Sequence, residues 1–430
     1  MGIGKFRKRI YLNAHGLRPV GSSFEAMTSE PQSAAEILPE PAHVAAHRKR
    51  GLIFIGLAVA GLSFALSLQM GVNPNFVAQE EEMALSGAQQ GFLEAARESC
   101  GILALVVLAV LAGFAEPLVA AAMLALFAVG LGAYAFVPNY FWLVLASLVW
   151  SQGFHVWVPL PQSMTLALAE PGRAGYRLGQ VRAAGAVGAA LGLAAALVLT
   201  WAGVRIRPLF LVAGAAGLLA AAACLGIPRQ IRARRARFVL RKKYGLYYLL
   251  SFLEGWRKQI FVAFAGFLLV KMYHTPLMTM LLLAMAFQAI GWIASPLVGR
   301  VIDRLGERPV LVFYFAGLTV FFAGYALVRD ERVLYALYVI DSAFFVFVMA
   351  LTTYVNRIAP PAEHTSTLSM GVAFNHVAAV AMPLIGGLLW KYVGYQWVFA
   401  LGAAAAAVSI FAACLLPKRR GKPTEHGPGS

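Results

Sequence analysis

The chain has 430 residues, 60% of them hydrophobic and 13% charged, with a mean hydropathy of +0.71. Soluble domains carry about 25% charged residues and have no interior able to hide this much apolar surface, so composition excludes a soluble globular protein and points to a bilayer. Its 36 basic and 19 acidic residues give a net charge of +17. Nucleic acid is still excluded as a partner, because no basic stretch interleaves with aromatics that could stack on bases.

Residues 1–50 open with Lys5, Arg7, Lys8 and Arg9 and continue as a mixture of Ser, Pro, Glu and Ala. This reads as a disordered cytoplasmic N-terminal tail. The first apolar run comes too late for a cleaved signal peptide. Phe6 stands where a myristoylation motif needs Ser or Thr, and Met27 offers an alternative start of translation. Apolar runs then fall at 51–71, 91–113, 117–138, 140–167, 178–202 and 208–227, and after a break at 244–270, 276–299, 309–328, 332–357, 366–390 and 394–416. Each supplies the roughly 20 residues a spanning helix needs. Their many Gly and Ala residues suit close helix packing in lipid. The expected fold is an all-α integral membrane protein with about twelve transmembrane helices in two pseudo-symmetric six-helix bundles. The bundles occupy 51–227 and 244–416, joined by a basic cytoplasmic linker at 228–243 and followed by a cytoplasmic tail at 417–430.

Loop charges orient the chain. Arg48, Lys49 and Arg50 precede the first span. The linker holds Arg229, Arg232, Arg234, Arg235, Arg237, Arg241, Lys242 and Lys243 and no acid, and the tail holds Lys418, Arg419, Arg420 and Lys422. The loop after the first span has Glu80, Glu81 and Glu82 and no base. The positive-inside rule then places both termini and the linker in the cytoplasm, in an inner (plasma) membrane. Arg205 and Arg207 depart mildly from that rule. The linker reads either as a solvated loop or as an interfacial helix against anionic headgroups. Cys100, Cys224 and Cys414 lie in the spans with no CxxC spacing, which gives neither a disulfide nor a zinc framework.

Between spans eight and nine the chain reads Gly299-Arg300-Val301-Ile302-Asp303-Arg304-Leu305-Gly306-Glu307-Arg308. This resembles the cytoplasmic-loop signature of the major facilitator superfamily, G-x-x-x-D-R-x-G-R-[RK], in Gly299, Asp303, Arg304 and Gly306. Glu307 departs from the expected base and Arg308 restores one. Gly299 would allow helices to pack closely, and Gly306 would permit a turn with positive φ. Asp303 can accept hydrogen bonds from a helix N-terminus and pair with a base, forming a clasp that holds one conformation and releases in another. The equivalent loop of the first half, Gly113-Phe114-Ala115-Glu116-Pro117, lacks the basic turn. Span five carries Gly185, Gly188 and Gly192, which resembles the glycine-rich signature of the family's antiporters without its proline. A Pro383-Leu384-Ile385-Gly386-Gly387 run stands in span eleven. Both stretches also read as close helix packing.

Ionisable groups inside spans cost several kcal/mol unless they face a cavity or a partner, so each is a site candidate. Span two has Glu94, Arg97 and Glu98, span four Gln152, His155 and Gln162, span seven Glu254, Arg257 and Lys258, span eight Gln288, span ten Asp341, and span eleven Asn375 and His376. Arg182 lies about one turn into span five and can snorkel. Glu254, Arg257 and Lys258 share a helix face. One pair neutralises itself, and the surplus positive charge favours an anionic solute or another acid, for which Asp341 is the candidate. His155 and His376 titrate near neutral pH and can carry a proton, or each is a hydrogen-bonded core histidine. Glu98 is a further proton carrier if desolvated, against which the neighbouring Arg97 argues.

These readings combine into a secondary active transporter that moves a small solute by rocker-switch alternating access, coupled to protons, with export favoured. Its central cavity is expected to be lined by Gln152, His155, Glu254, Lys258, Gln288, Asp341 and His376. The alternatives are an uptake permease for an organic anion, proton-coupled or facilitative, and a transport-inactive membrane sensor. No Walker A loop, nucleophile pair or HExxH is present, so neither an enzyme, a cofactor nor a metal site is expected. The expected partners are the solute, a coupling proton and the lipid bilayer, around a monomer.

Overall fold

The computed structural model describes residues 42–232 and 240–417. These residues make twelve helical passes. In the first bundle α1 is Ala42–Ala78, α2 Gly87–Val110 and α3 Glu116–Gly132. Next come α4 (Tyr140–Trp157, continuing as Leu160–Leu168), α5 (Ala174–Trp201) and α6 (Ile206–Cys224). In the second, α7 runs Gly245–Ile260 through a π-helical turn Phe261–Ala265 to Gly266–Tyr273, α8 is Leu277–Leu305 and α9 Glu307–Leu327. Then follow α10 (Glu331–Phe344, resuming as Met349–Ile358), α11 (Pro361–Tyr392) and α12 (Tyr395–Cys414). Among the described residues ten segments are long and apolar enough to cross a membrane. The other two passes, α2 and α7, are interrupted by charge rather than short. The 24 residues of α2 span about 36 Å against the roughly 30 Å of a hydrocarbon core.

Local chemistry starts several helices. Ser86 and Gln89 form a capping box on α2, Asn139 accepts from Trp142 N–H at the start of α4, and Asp330 accepts from two N–H groups of α10. The chain turns with positive φ at Gly113 and Gly306, the equivalent loops of the two bundles. The φ of Gly306, 82°, agrees with the turn its loop motif implies.

Helix α1 is longer than its apolar run. It begins at Ala42, inside the segment read as a tail, because the basic turn Arg48–Arg50 is itself helical with mostly exposed side chains, which hydropathy does not register. At its far end it continues through Pro74 and Asn75, held there by contacts. Asn75 Nδ2 donates to the Thr275 carbonyl at 2.9 Å, and Phe76 packs on Tyr134 and Phe210. The expectations for residues 1–41, 233–239 and 418–430 fall outside the described residues.

Small residues set the closest approaches. A Cβ on Gly188 or Gly192 of α5 would lie 2.1 or 2.2 Å from the Ala60 or Phe64 carbonyl oxygen of α1. The same holds between the bundles, where a Cβ on Gly91 of α2 would lie 2.1 Å from the Pro383 oxygen of α11 and 2.8 Å from Gly387 Cα. At the end carrying the α1–α2 loop the bundles are closed. There Gln90 Nε2 donates to the Ala263 carbonyl at 2.9 Å, Lys271 Nζ reaches the Ala78 carbonyl at 3.5 Å, and Gly87 faces Trp390. At the opposite end the expectation for Gly299 is corrected. A Cβ there would meet nothing within 4 Å among the described residues, because α8 packs at that level through Val298 and Ile302, which are buried, and Gly299 does not share their face.

The linker is anchored at both of its described ends. The Ile231 carbonyl accepts from Glu116 N–H at 2.8 Å, and Arg232 Nη1 donates to the Gly113 carbonyl at 3.1 Å. The base missing from the first-half loop thus arrives from the linker. On the other side Glu363, at the start of α11, accepts from Tyr244 at 2.6 Å and pairs with Lys243 at 2.9 Å and Arg241 at 3.3 Å. The Tyr244 hydroxyl and the Lys243 ammonium hold its carboxyl below the ordinary 4.5. A carboxylate depressed in the folded state contributes its stability above its unfolded pKa and loses it as pH falls through the folded one. The acid-side decline of melting temperature below pH 4.5 is therefore expected to be shallower in Glu363→Gln than in wild type. Gly188→Leu is expected to lower stability by about 1–3 kcal/mol through overpacking, whereas Gly299→Ala leaves the melting temperature in detergent unchanged.

Candidate functional site

Most of the candidate charged groups fall into two clusters. One lies inside the second bundle. Glu254 and Arg257 share a face of α7, three residues apart, with Tyr314 of α9 and Asp341 of α10 around them, all buried. Arg257 Nη2 donates to Glu254 Oε1 and to the Tyr314 hydroxyl, each at 2.5 Å, and Tyr314 donates to Glu254 Oε2 at 2.8 Å. Asp341 Oδ1 stands 3.7 Å from Arg257 Nη1, and among the described residues neither of its carboxyl oxygens receives a hydrogen bond. The Phe345 ring covers the guanidinium at 4.3 Å. Two acids thus face one base. The expectation that Glu254 and Asp341 line a central cavity is corrected, since they and Arg257 are enclosed by α7, α9 and α10. The expected surplus of positive charge on α7 reduces to Lys258.

The second cluster joins the two bundles halfway along their helices. Glu98 of α2 and His376 of α11 meet at 3.1 Å between Oε2 and Nδ1, with 16% and 18% of their side chains exposed. The His155 ring of α4 stands edge-on to the His376 ring, centroids 5.3 Å apart, and its Nδ1 faces the Ser151 carbonyl oxygen at 2.8 Å. Lys258 Nζ donates to Asn375 Oδ1 at 3.1 Å, and Asn375 Nδ2 donates to the Ser251 carbonyl at 3.2 Å. Arg97, beside Glu98, pairs with Glu94 at 2.6 Å and lies over the Trp150 ring at 4.4 Å. Among the described residues Gln152 has neither amide atom bonded, and Gln288 is half-buried on α8. Arg182 is exposed near the start of α5.

Glu98, His155, Lys258, Asn375 and His376 are therefore brought together, while Glu254, Arg257 and Asp341 form a separate network. Ser151, Trp150 and Tyr314 escaped the sequence reading. Ser151 alone left a signal, four residues before His155 and so on the same helix face. In the loop motif, Glu307 pairs with Arg357 of α10 at 3.1 Å. Arg300 Nε bonds the Pro296 carbonyl at 3.3 Å, Asp303 and Arg304 are exposed, and Arg308 is half-buried. Ile302, Asp303, Gly306, Glu307, Thr353 and Arg357 enclose a crevice of about 160 Å³.

Residues 247–430 match the family model of the Major Facilitator Superfamily. Over 138 residues the chain is 30% identical to major facilitator superfamily domain-containing protein 10 of Mus musculus, across 32% of this chain and 29% of that protein. The chain thus spans less than a third of that curated relative's length. Among solved structures, a mutant of the nucleoside transporter NupG superposes with a TM-score of 0.70 at 15% identity, covering 84% of this chain and 98% of the other. The D-xylose–proton symporter superposes with a TM-score of 0.66 at 16% identity, covering 86% and 99%. At these identities the likeness is one of fold.

Removing one partner of a buried ionic network strands the others. Arg257→Met is expected to cost about 3–5 kcal/mol, read as a large fall in melting temperature. Lys258→Met, whose side chain is partly exposed and whose hydrogen-bond partner is neutral, lowers it far less.

Proposed function

We propose that this chain, a secondary transporter of the major facilitator superfamily, exports a small solute across the inner membrane in exchange for protons by rocker-switch alternating access. The basic linker and the acidic first loop support an orientation with both termini in the cytoplasm. The closed end then faces outward and the end at Gly299 faces the cytoplasm. The solute contacts both bundles at the Glu98–His376 level, near Lys258 and Asn375, where a rocking motion changes the distance between groups on opposite sides.

The observation that carries the coupling is Asp341, a carboxyl buried in the second bundle, 3.7 Å from Arg257 and with no hydrogen bond to either oxygen among the described residues. Such a group can take up a proton in one conformation and surrender it in the other, since Arg257 is already bound to Glu254. Each proton crossing 100 mV supplies about 2.3 kcal/mol. The proton symport named for the D-xylose neighbour supports coupling of this kind. A second reading, uptake of an organic anion, rests on Lys258, a cation halfway along the bundle interface whose hydrogen-bond acceptor is the neutral side-chain amide of Asn375.

The test uses everted vesicles energised acid-inside and a radiolabelled solute chosen by thermal-shift screening of a metabolite and drug library. Asp341→Asn is expected to lose gradient-driven accumulation and to retain solute exchange. Wild-type accumulation by that variant across pH would remove Asp341 from the mechanism. Asp303→Ala is expected to insert normally and to transport slowly, because its loop acts on switching. An unchanged rate would show that the loop is not a switch.

A further inference from the structure

Glu98, His155 and His376 have a property that proton exchange at Asp341 does not use. Each offers a ligand atom, and these atoms all lie within 4.8 Å of one another. We propose that the three side chains form a site for one divalent transition-metal ion, held between the two bundles. Two imidazoles and one carboxylate are the ligand mixture of zinc and its first-row neighbours, whereas calcium and magnesium take oxygen ligands.

The imidazole of His155 is prepared for this. Its Nδ1 faces the Ser151 carbonyl oxygen at 2.8 Å, and a carbonyl only accepts, so the proton sits on Nδ1 and Nε2 presents its lone pair. A backbone carbonyl on the far nitrogen is the usual outer partner of a metal-binding histidine. The Ser151 hydroxyl donates to the Arg97 carbonyl at 2.8 Å, which fixes α4 against α2. Glu98 Oε2 and His376 Nδ1 are already 3.1 Å apart. Ligands held about 2.0–2.2 Å from zinc lie about 3.0–3.5 Å from each other, so a small movement of the His155 ring closes the set. Gly101 of α2 makes the approach possible, since a Cβ there would come within 2.5 Å of the His376 ring. Partial exposure of all three side chains gives an ion access. The nearby cations are Arg97, matched by Glu94, and Lys258, which opposes a dication.

The full chain, washed with chelator and placed in nanodiscs, is titrated with zinc sulfate. Melting temperature and calorimetry are the readouts. Wild type is expected to bind one ion and to melt higher. Glu98→Gln, His155→Gln and His376→Gln each weaken binding at least about tenfold, provided each melts near wild type without zinc. Gly101→Ala keeps all three ligands but displaces the His376 ring, and weakens binding too. Lys258→Met tightens it severalfold, an effect a zinc site elsewhere on the chain does not show. Magnesium and calcium leave the melting temperature unchanged. No zinc shift in wild type, or the same shift in all three ligand variants, overturns the proposal. The readout requires no transport, so a chain that transports without binding zinc refutes this site alone.

Discussion

The two bundles meet backbone to backbone along α2 and α11, and the register of that contact decides which side chains meet halfway along the two helices. Lipid gives helices no hydrophobic reason to associate, so close packing and direct hydrogen bonds must do so. Gly91 lies under the Pro383 carbonyl and beside Gly387. The two helices run antiparallel. Seven residues along α2 from Gly91 is Glu98, and seven residues back along α11 from Pro383 is His376. Seven residues are about two helical turns, so the same faces return and the two side chains arrive opposite each other. A larger side chain at Gly91 would separate the helices and the Glu98–His376 pair together.

Helix α7 works differently on its two faces. Towards α9 and α10 it buries Glu254 and Arg257, where charges survive only because each has a partner. Towards α11 it presents Lys258 to Asn375, and Gly255 lets the Asn375 backbone approach. One turn further on, its π-helical turn holds Ala263, whose carbonyl receives Gln90 of α2. Insertions of this kind free backbone groups from the helical ladder and recur at functional positions. The helix therefore links the enclosed ionic network to the interface between bundles within four turns.

Much of this was legible in the sequence because it is written in local chemistry. Apolar runs located the passes, and the Gly299–Arg308 loop carried the family resemblance that the match over 247–430 supports. The intramembrane charges were visible one by one. Their partners were not, since Arg257 meets Asp341 from a helix 84 positions later in the chain. A helix face is readable from spacing, but which neighbour it faces depends on the bundle. The same limit explains why Glu98, His155 and His376 showed no ligand spacing, as they come from α2, α4 and α11. The glycines of α5 illustrate the opposite case, where a stretch resembling a transport signature serves tight packing against α1.

The anchored linker has a mechanical consequence. Arg232 is bonded to the first bundle at Gly113, and Arg241 is paired to the second at Glu363. Nine peptide units join these two residues, and a chain extends by at most about 3.3–3.6 Å per residue. While both anchors hold, the Cα atoms of Arg232 and Arg241 can never stand more than about 32 Å apart, and the two attachment points exceed that only by the reach of two arginine side chains. Chain connectivity alone thus sets an upper limit, which caps the amplitude of any rocking motion at that end of the molecule without opposing smaller ones.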